Sequence, residues 1–195
     1  DCLLSRGLGD VYKRQYDIAL DISEGLARVA CVGEIDGEVK DLRTIVDKDC
    51  TLNILTFDSD EGKKAYRHTC AHVLAQAVKN LYPDAKLTIG PAIDNGYYYD
   101  FDLPSLDRDA LDAIEKEMKK IIKKGDRLER YTLSKDEAIK LMTERDEPYK
   151  VEMIKEHPDT DELSFYQQGD FIEFCAGPHL MSTKPIKAFK LTSSS

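Results

Sequence analysis

Residues 62–83 read GKKAYRHTCAHVLAQAVKNLYP. Ala65, Val73, Leu74, Ala77, Val78 and Leu81 recur in this stretch at helical spacing, and Pro83 stops the pattern. The spacing predicts a helix over 62–81. A polar row, Lys64, His68, His72, Gln76 and Asn80, runs opposite the apolar stripe with one residue per turn. His68 and His72 therefore project from one face.

Working outward from this helix, residues 58–62 (DSDEG) read as a linker. Ahead of it, Thr51–Phe57 (TLNILTF) alternates as a strand. Arg28–Ile35 reads as a strand, Asp36–Gly37 as a hairpin turn, and Glu38–Leu42 as the returning strand. Tyr16–Ser23 (YDIALDIS) admits either a strand or a short helix. Together these form a small α+β unit over 16–60. After the helix, Lys86–Gly90 and Tyr97–Phe101 are predicted strands around an Asp94-Asn95-Gly96 turn. Asp107–Lys124 is a predicted amphipathic helix ended by Gly125, and Arg127–Leu133 a strand. Ser134–Glu144 is a predicted helix whose Ser134 and Glu137 make a capping box. Leu163–Gln167, Phe171–Phe174 and Ala188–Thr192 complete the predicted strands of a second unit over 61–195. The mixture is α+β, not alternating βαβ. Residues 1–15 (DCLLSRGLGDVYKRQ) show neither period, resemble translated adapter sequence, and are set outside the fold as non-native. With TSSS following a strand-like run, the chain is expected to be a fragment at both ends.

Composition narrows the class of protein. Hydrophobic residues make up 42% and charged residues 33%, which supplies a core and a soluble surface. No apolar run approaches the roughly 20 residues of a membrane span, and no signal peptide opens the chain. Five cysteines without paired spacing fit a reducing, cytoplasmic setting. A net charge of −9 argues against a DNA or RNA binder held by bulk electrostatics. Residues 16–62 carry 12 acidic and 4 basic side chains, whereas 63–195 carry 23 and 21. The one basic stretch, Lys116–Arg130, reads as a solvated helix face, with contact to phosphates as the alternative.

Three of the four histidines lie in two short motifs. His68 and His72 form HxxxH on the long helix, and Cys175-Ala176-Gly177-Pro178-His179 forms CxxxH on a turn after a strand. These four groups allow three chemistries. They can hold Zn²⁺ with an open position that activates water. They can work without metal, imidazole and thiol positioning a water and a leaving group. Cys175 can act as a nucleophile with a histidine base. Spacing does not choose among the three.

The stretches RHTCAHVLAQAVKNLYPDAKLTIGPAIDNGYYYDFDLP, DEPYKVEMI, DFIEFCAGPHL and AFKLTS are similar, in motif and order, to the N-terminal half of bacterial threonyl-tRNA synthetases. The resemblance starts near residue 16. It implies a partial ubiquitin-like TGS domain over 16–60, its opening hairpin replaced by residues 1–15, and over 61–195 an editing domain related to that of alanyl-tRNA synthetases. It implies a pocket of His68, His72, Cys175 and His179, with Lys150 as a further catalytic residue and Tyr99 and Glu173 as substrate-binding ones. Glu173 stands where relatives have aspartate. The implied reaction is hydrolysis of Ser-tRNA(Thr) at the tRNA 3′ end, in the cytoplasm, without a required metal. If zinc is bound, the ligands are His68, His72, Cys175 and His179. Charging of tRNA(Thr) with threonine, which needs ATP, Mg²⁺ and Zn²⁺, and the dimer contacts of a homodimer belong to the core of the longer parent enzyme. A free-standing trans-editing deacylase and a non-catalytic zinc or RNA-binding module are the alternative readings.

Overall fold

The computed structural model describes residues 13–158 and 162–194. Residues 1–12, most of the stretch read as non-native, lie outside the described residues. The remaining three of that stretch are part of the fold. They form β1 (Lys13–Arg14) and the first residue of α1 (Gln15–Ile22), and Gln15 is fully buried with its amide donating to the Asp41 carbonyl at 3.1 Å. The 16–23 segment is thus a helix. Asp17 fastens its start by accepting from the Arg14 amide at 3.3 Å and the Arg14 guanidinium at 2.9 Å.

Ser23 ends α1 in an extended conformation and caps α2 (Glu24–Val29), its hydroxyl accepting from the Leu26 amide at 3.0 Å. This cap moves the start of the next strand. Arg28 and Val29 finish the helix, so β2 covers Ala30–Ile35 rather than beginning at residue 28. Asp36 and Gly37 both take positive φ, 49° and 85°, the two-residue turn whose twist suits a hairpin, and β3 (Glu38–Lys40) returns. β4 (Ile45–Val46) pairs with β1, and β5 (Leu52–Thr56) with β2.

The stretch read as a linker is a helix start. Ser59 accepts from the Gly62 amide at 3.0 Å, and α3 runs over Asp60–Leu81 with Asp60 and Glu61 at its positive end. A Cβ on Gly62 would lie 1.8 Å from the Thr56 carbonyl oxygen, so glycine lets α3 follow β5 at close range. The centre of α3 is buried on nearly every side, with Ala65, Ala71, Val73, Ala75, Ala77 and Val78 at most 1% exposed.

After α3 come β6 (Lys86–Leu87), β7 (Ala92–Ile93), β8 (Gly96–Tyr97) and β9 (Phe101–Asp102), two-residue strands nested as β7–β8 inside β6–β9. α4 (Arg108–Lys124) is capped by Asp107 and stopped by Gly125 at φ 71°. Its Ile114 and Met118 are fully buried in the cluster that includes Val73, Val78, Leu87, Leu180 and Leu191. β10 (Leu128–Leu133), β11 (Leu163–Gln168) and β12 (Phe171–Phe174) form an antiparallel sheet in that order. Two helices intervene, α5 (Lys135–Glu144) with the predicted Ser134–Glu137 box, and α6 (Pro148–Glu156). Their Ala138, Met142 and Ile154 pack with Leu163 and Phe165 in a second core.

α6 has no counterpart in the sequence reading. Pro148 opens it at the position where a missing N–H costs nothing. Ala188–Thr192, read as a strand, joins no sheet. It lies along the first core with Leu191 buried, and Lys190 pairs with Glu115 of α4. Packing of its side chains, rather than a ladder, holds it there. The α+β class stands.

Ile114→Ala removes a fully buried side chain between α3 and α4, and is expected to cost about 2–5 kcal/mol of stability. Urea unfolding of the two proteins measures it.

Candidate functional site

The polar row of α3 is not a solvated face. Its ends, Lys64 and Asn80, are exposed, but His72 and Gln76 are 2% and 8% exposed and His68 is half-buried. What covers the row is the β10–β11–β12 sheet and the loop after β12. Gln168 of β11 donates to Gln76 at 2.5 Å, and His179 places its ring 4.0 Å from the rings of both His68 and His72. Gly177 takes positive φ (75°) in the loop that brings Cys175 and His179 back to the helix. A Cβ at Gly177 would fall 2.1 Å from the Tyr166 hydroxyl, so the loop passes too close for any other residue.

The predicted quartet comes together. One donor atom each from His68, His72, Cys175 and His179 lies within 4.8 Å of the others. Cys175 Sγ is 3.3 Å from His68 Nε2 and 3.3 Å from His179 Nε2, and it accepts from the Gly177 amide at 3.3 Å.

Thr69, which the sequence reading passed over inside its own motif, sets the tautomer of His179. The single Thr69 hydroxyl proton goes to the Ala65 carbonyl at 2.8 Å, and the oxygen accepts from the Leu180 amide at 3.1 Å. The His179 Nδ1 at 3.2 Å is therefore the donor of that pair, and its Nε2 presents a lone pair to the thiol. Burial pushes all three imidazoles below the ordinary histidine value. His72 is further lowered by His68 and Lys150, and His179 by its two histidine neighbours and Arg43. For His68 the Pro178 carbonyl opposes the effect. Burial also pushes the Cys175 thiol up to about 12.

Lys150, Tyr99 and Glu173 form one buried group beside the quartet. Lys150 Nζ lies 2.5 Å from Glu173 Oε1, both side chains at most 4% exposed, and Tyr99 donates to Glu173 Oε2 at 2.6 Å. Burial raises the Glu173 carboxyl and Lys150 works against that rise, while Tyr99 is held well above its usual value by burial and by Glu173. Gly90 makes the place for Tyr99, since a Cβ there would sit 2.1 Å from its ring.

The donor set fits a zinc ion: three neutral imidazoles and a thiol. Their 3.3 Å nitrogen–sulfur separations are close to the about 3.5 Å edges of a tetrahedral zinc shell. His72 Nδ1, buried without a hydrogen-bond partner, is an atom such an ion would satisfy.

The C-terminal part of this fold, which carries Cys175 and His179, is similar to a second additional domain of the threonyl and alanyl tRNA synthetase type. The family model so described, "Threonyl and Alanyl tRNA synthetase second additional domain", matches residues 163–195. The chain is similar to the N-terminal region of threonine–tRNA ligases. It is 61% identical over 178 residues to that of Acetivibrio thermocellus, 57% over 180 to that of Caldanaerobacter subterraneus subsp. tengcongensis, and 56% over 180 to that of Clostridium perfringens. Each match covers 91–92% of this chain, which spans about 28% of the length of the relatives. Among the described residues no helix is long and apolar enough to cross a membrane.

The buried histidines make stability depend on pH in a fixed direction. Their folded values lie below about 6.5, so the unfolded chain takes up protons first as pH falls. Their contribution is complete above about pH 6.5 and is lost on acidification, at about 1.4 kcal/mol per pH unit for each proton. With a chelator present, urea unfolding at pH 7.5 and 5.5 should show this loss, and His72→Asn should reduce the slope by one proton.

Proposed function

We propose that the quartet and Lys150 hydrolyse the ester joining serine to the 3′ end of tRNA(Thr). The observation that carries this reading is the convergence of three neutral imidazoles and a thiol within 4.8 Å, beside a buried lysine. In this reading 61–195 is the editing domain and 16–60 a partial TGS domain.

Serine is threonine without one methyl. A missing methyl is worth only about 1–3 kcal/mol in a binding pocket, or roughly 10–200-fold, so a second, hydrolytic site has a purpose. His68 and His72 accept hydrogen bonds from a water and aim its oxygen at the ester carbonyl. As the carbonyl oxygen gains negative charge, Lys150 stabilises it in a pocket where water screens little. Glu173 and Tyr99 keep the lysine head fixed. Cys175 and His179 hold the ester and the terminal ribose. The ester C–O bond breaks, the ribose oxygen takes a proton, and serine leaves with the hydroxyl of the water. A thiol pushed to about 12 is protonated at neutral pH, which disfavours Cys175 as nucleophile in the metal-free protein.

A second reading rests on the convergence of four ligand-type atoms within 4.8 Å. Zinc held by His68, His72, Cys175 and His179 would polarise the attacking water or the carbonyl. Lys150, Glu173 and Tyr99 keep the same roles. The relatives are named for ligating threonine to tRNA. From that name we extend to this chain a tRNA partner; a cytoplasmic setting, and ATP-dependent charging and dimer formation by the longer parent protein, are proposed from the family resemblance alone.

His72→Ala and Lys150→Ala are each expected to slow deacylation of Ser-tRNA(Thr) by on the order of 100-fold or more. Because Lys150→Ala leaves Glu173 buried without its partner, the paired Lys150→Met, Glu173→Gln variant should lose activity while keeping more stability. Deacylation at the parent rate by both single variants contradicts the assignment. A chelator leaves the rate unchanged under the first reading and abolishes it under the second.

A further inference from the structure

The back of the site is built by the small N-terminal unit. Between β3 and β4 the chain runs Asp41-Leu42-Arg43, with Leu42 fully buried and the Asp41 and Arg43 side chains 9% and 13% exposed. The two pair at 2.8 and 3.0 Å. Neither stops at its partner. Asp41 Oδ2 accepts from the His179 amide at 3.3 Å and from the Tyr166 hydroxyl at 2.8 Å. Arg43 donates to the Leu128 carbonyl at 2.9 Å, to the Leu180 carbonyl at 2.9 Å and to the His179 carbonyl at 3.4 Å.

Both main-chain polar groups of His179 are thus held by a segment 136 or more residues away: its N–H by Asp41, its C=O by Arg43. Tyr166, anchored by Asp41, sets its ring against that of His179 at 4.5 Å and 66°. Its hydroxyl also fills the space against Gly177. We propose that Asp41 and Arg43 are positioning residues for the hydrolytic site, a clamp through which the N-terminal unit fixes the Cys175–His179 loop against α3. This inference rests on the hydrolytic reading given above. A buried guanidinium serving several carbonyls has a planar fork that an ammonium lacks. A reacting group displaced by about 1 Å can lose on the order of 100-fold in rate.

The test uses the whole chain and four variants: Asp41→Asn, Arg43→Lys, Arg43→Ala, and Val32→Ala as a control. Val32 is fully buried in β2 and touches none of the loop bonds described. Hydrolysis of Ser-tRNA(Thr) is measured as kcat and KM, with thermal unfolding alongside. The expected result is a kcat lower by on the order of tenfold to 100-fold in the clamp variants, with KM nearly unchanged. Arg43→Lys should fall between Arg43→Ala and the parent, and Val32→Ala should keep the parent kcat despite a lower Tm. An unchanged kcat in folded Arg43→Ala, or an equal fall in Val32→Ala, overturns the proposal. NMR of the His179 amide and ring signals decides the clamp independently of activity. Displacement in Asp41→Asn and Arg43→Lys but not in Val32→Ala supports it; signals unmoved in the clamp variants overturn it. If the parent itself fails to hydrolyse the ester, the hydrolytic reading falls and these signals still judge the clamp.

Discussion

Three imidazoles and a thiol enclosed together must remain uncharged, and most of the surrounding structure serves that condition. A charged histidine pair 4.0 Å apart in a buried site would cost several kcal/mol. The site helps to avoid this by assigning the protons of His68 and His179 to particular partners. Thr69 accepts the Nδ1 proton of His179, the Pro178 carbonyl meets His68, and the Nε2 lone pairs of His68 and His179 converge on the single thiol. One thiol proton satisfies only one of the two. The quartet is therefore arranged to receive something further, whether a water that donates to it or a metal ion that accepts from it.

Beside the quartet, charge enters as a compensated pair. Lys150 and Glu173 compensate one another in a dry environment, and Tyr99 holds the carboxylate from its other oxygen. Such a pair contributes little net stability but gives a positive charge of fixed position. The net charge of −9 means that bulk attraction does not bring RNA to this surface. Under the proposed function, recognition of a terminal ester depends instead on the pocket.

The parts legible in sequence are those governed by local periodicity. α3, α4, the Asp36–Gly37 turn and the Ser134 box follow from spacing and capping residues a few positions apart. The two motifs of the quartet were visible as residue types, but only the family resemblance linked Lys150, Tyr99 and Glu173 to them. Residues 58–62 were misread because a linker and the first turn of a capped helix share the same small and acidic residues. The nine-residue α6 is too short to declare itself by period, and Ala188–Thr192 shows strand-like composition without a strand to pair with. Asp41 and Arg43 left no local signal at all, since their partners lie 85 to 138 residues away.

Selectivity between two esters that differ by one methyl is the most direct test of the proposal that this site removes serine. Deacylation of Ser-tRNA(Thr) and Thr-tRNA(Thr) by this chain, at equal concentrations and neutral pH, measures it. The account predicts rapid loss of serine with threonine left attached. Equal hydrolysis of the two esters, or of neither, would contradict it.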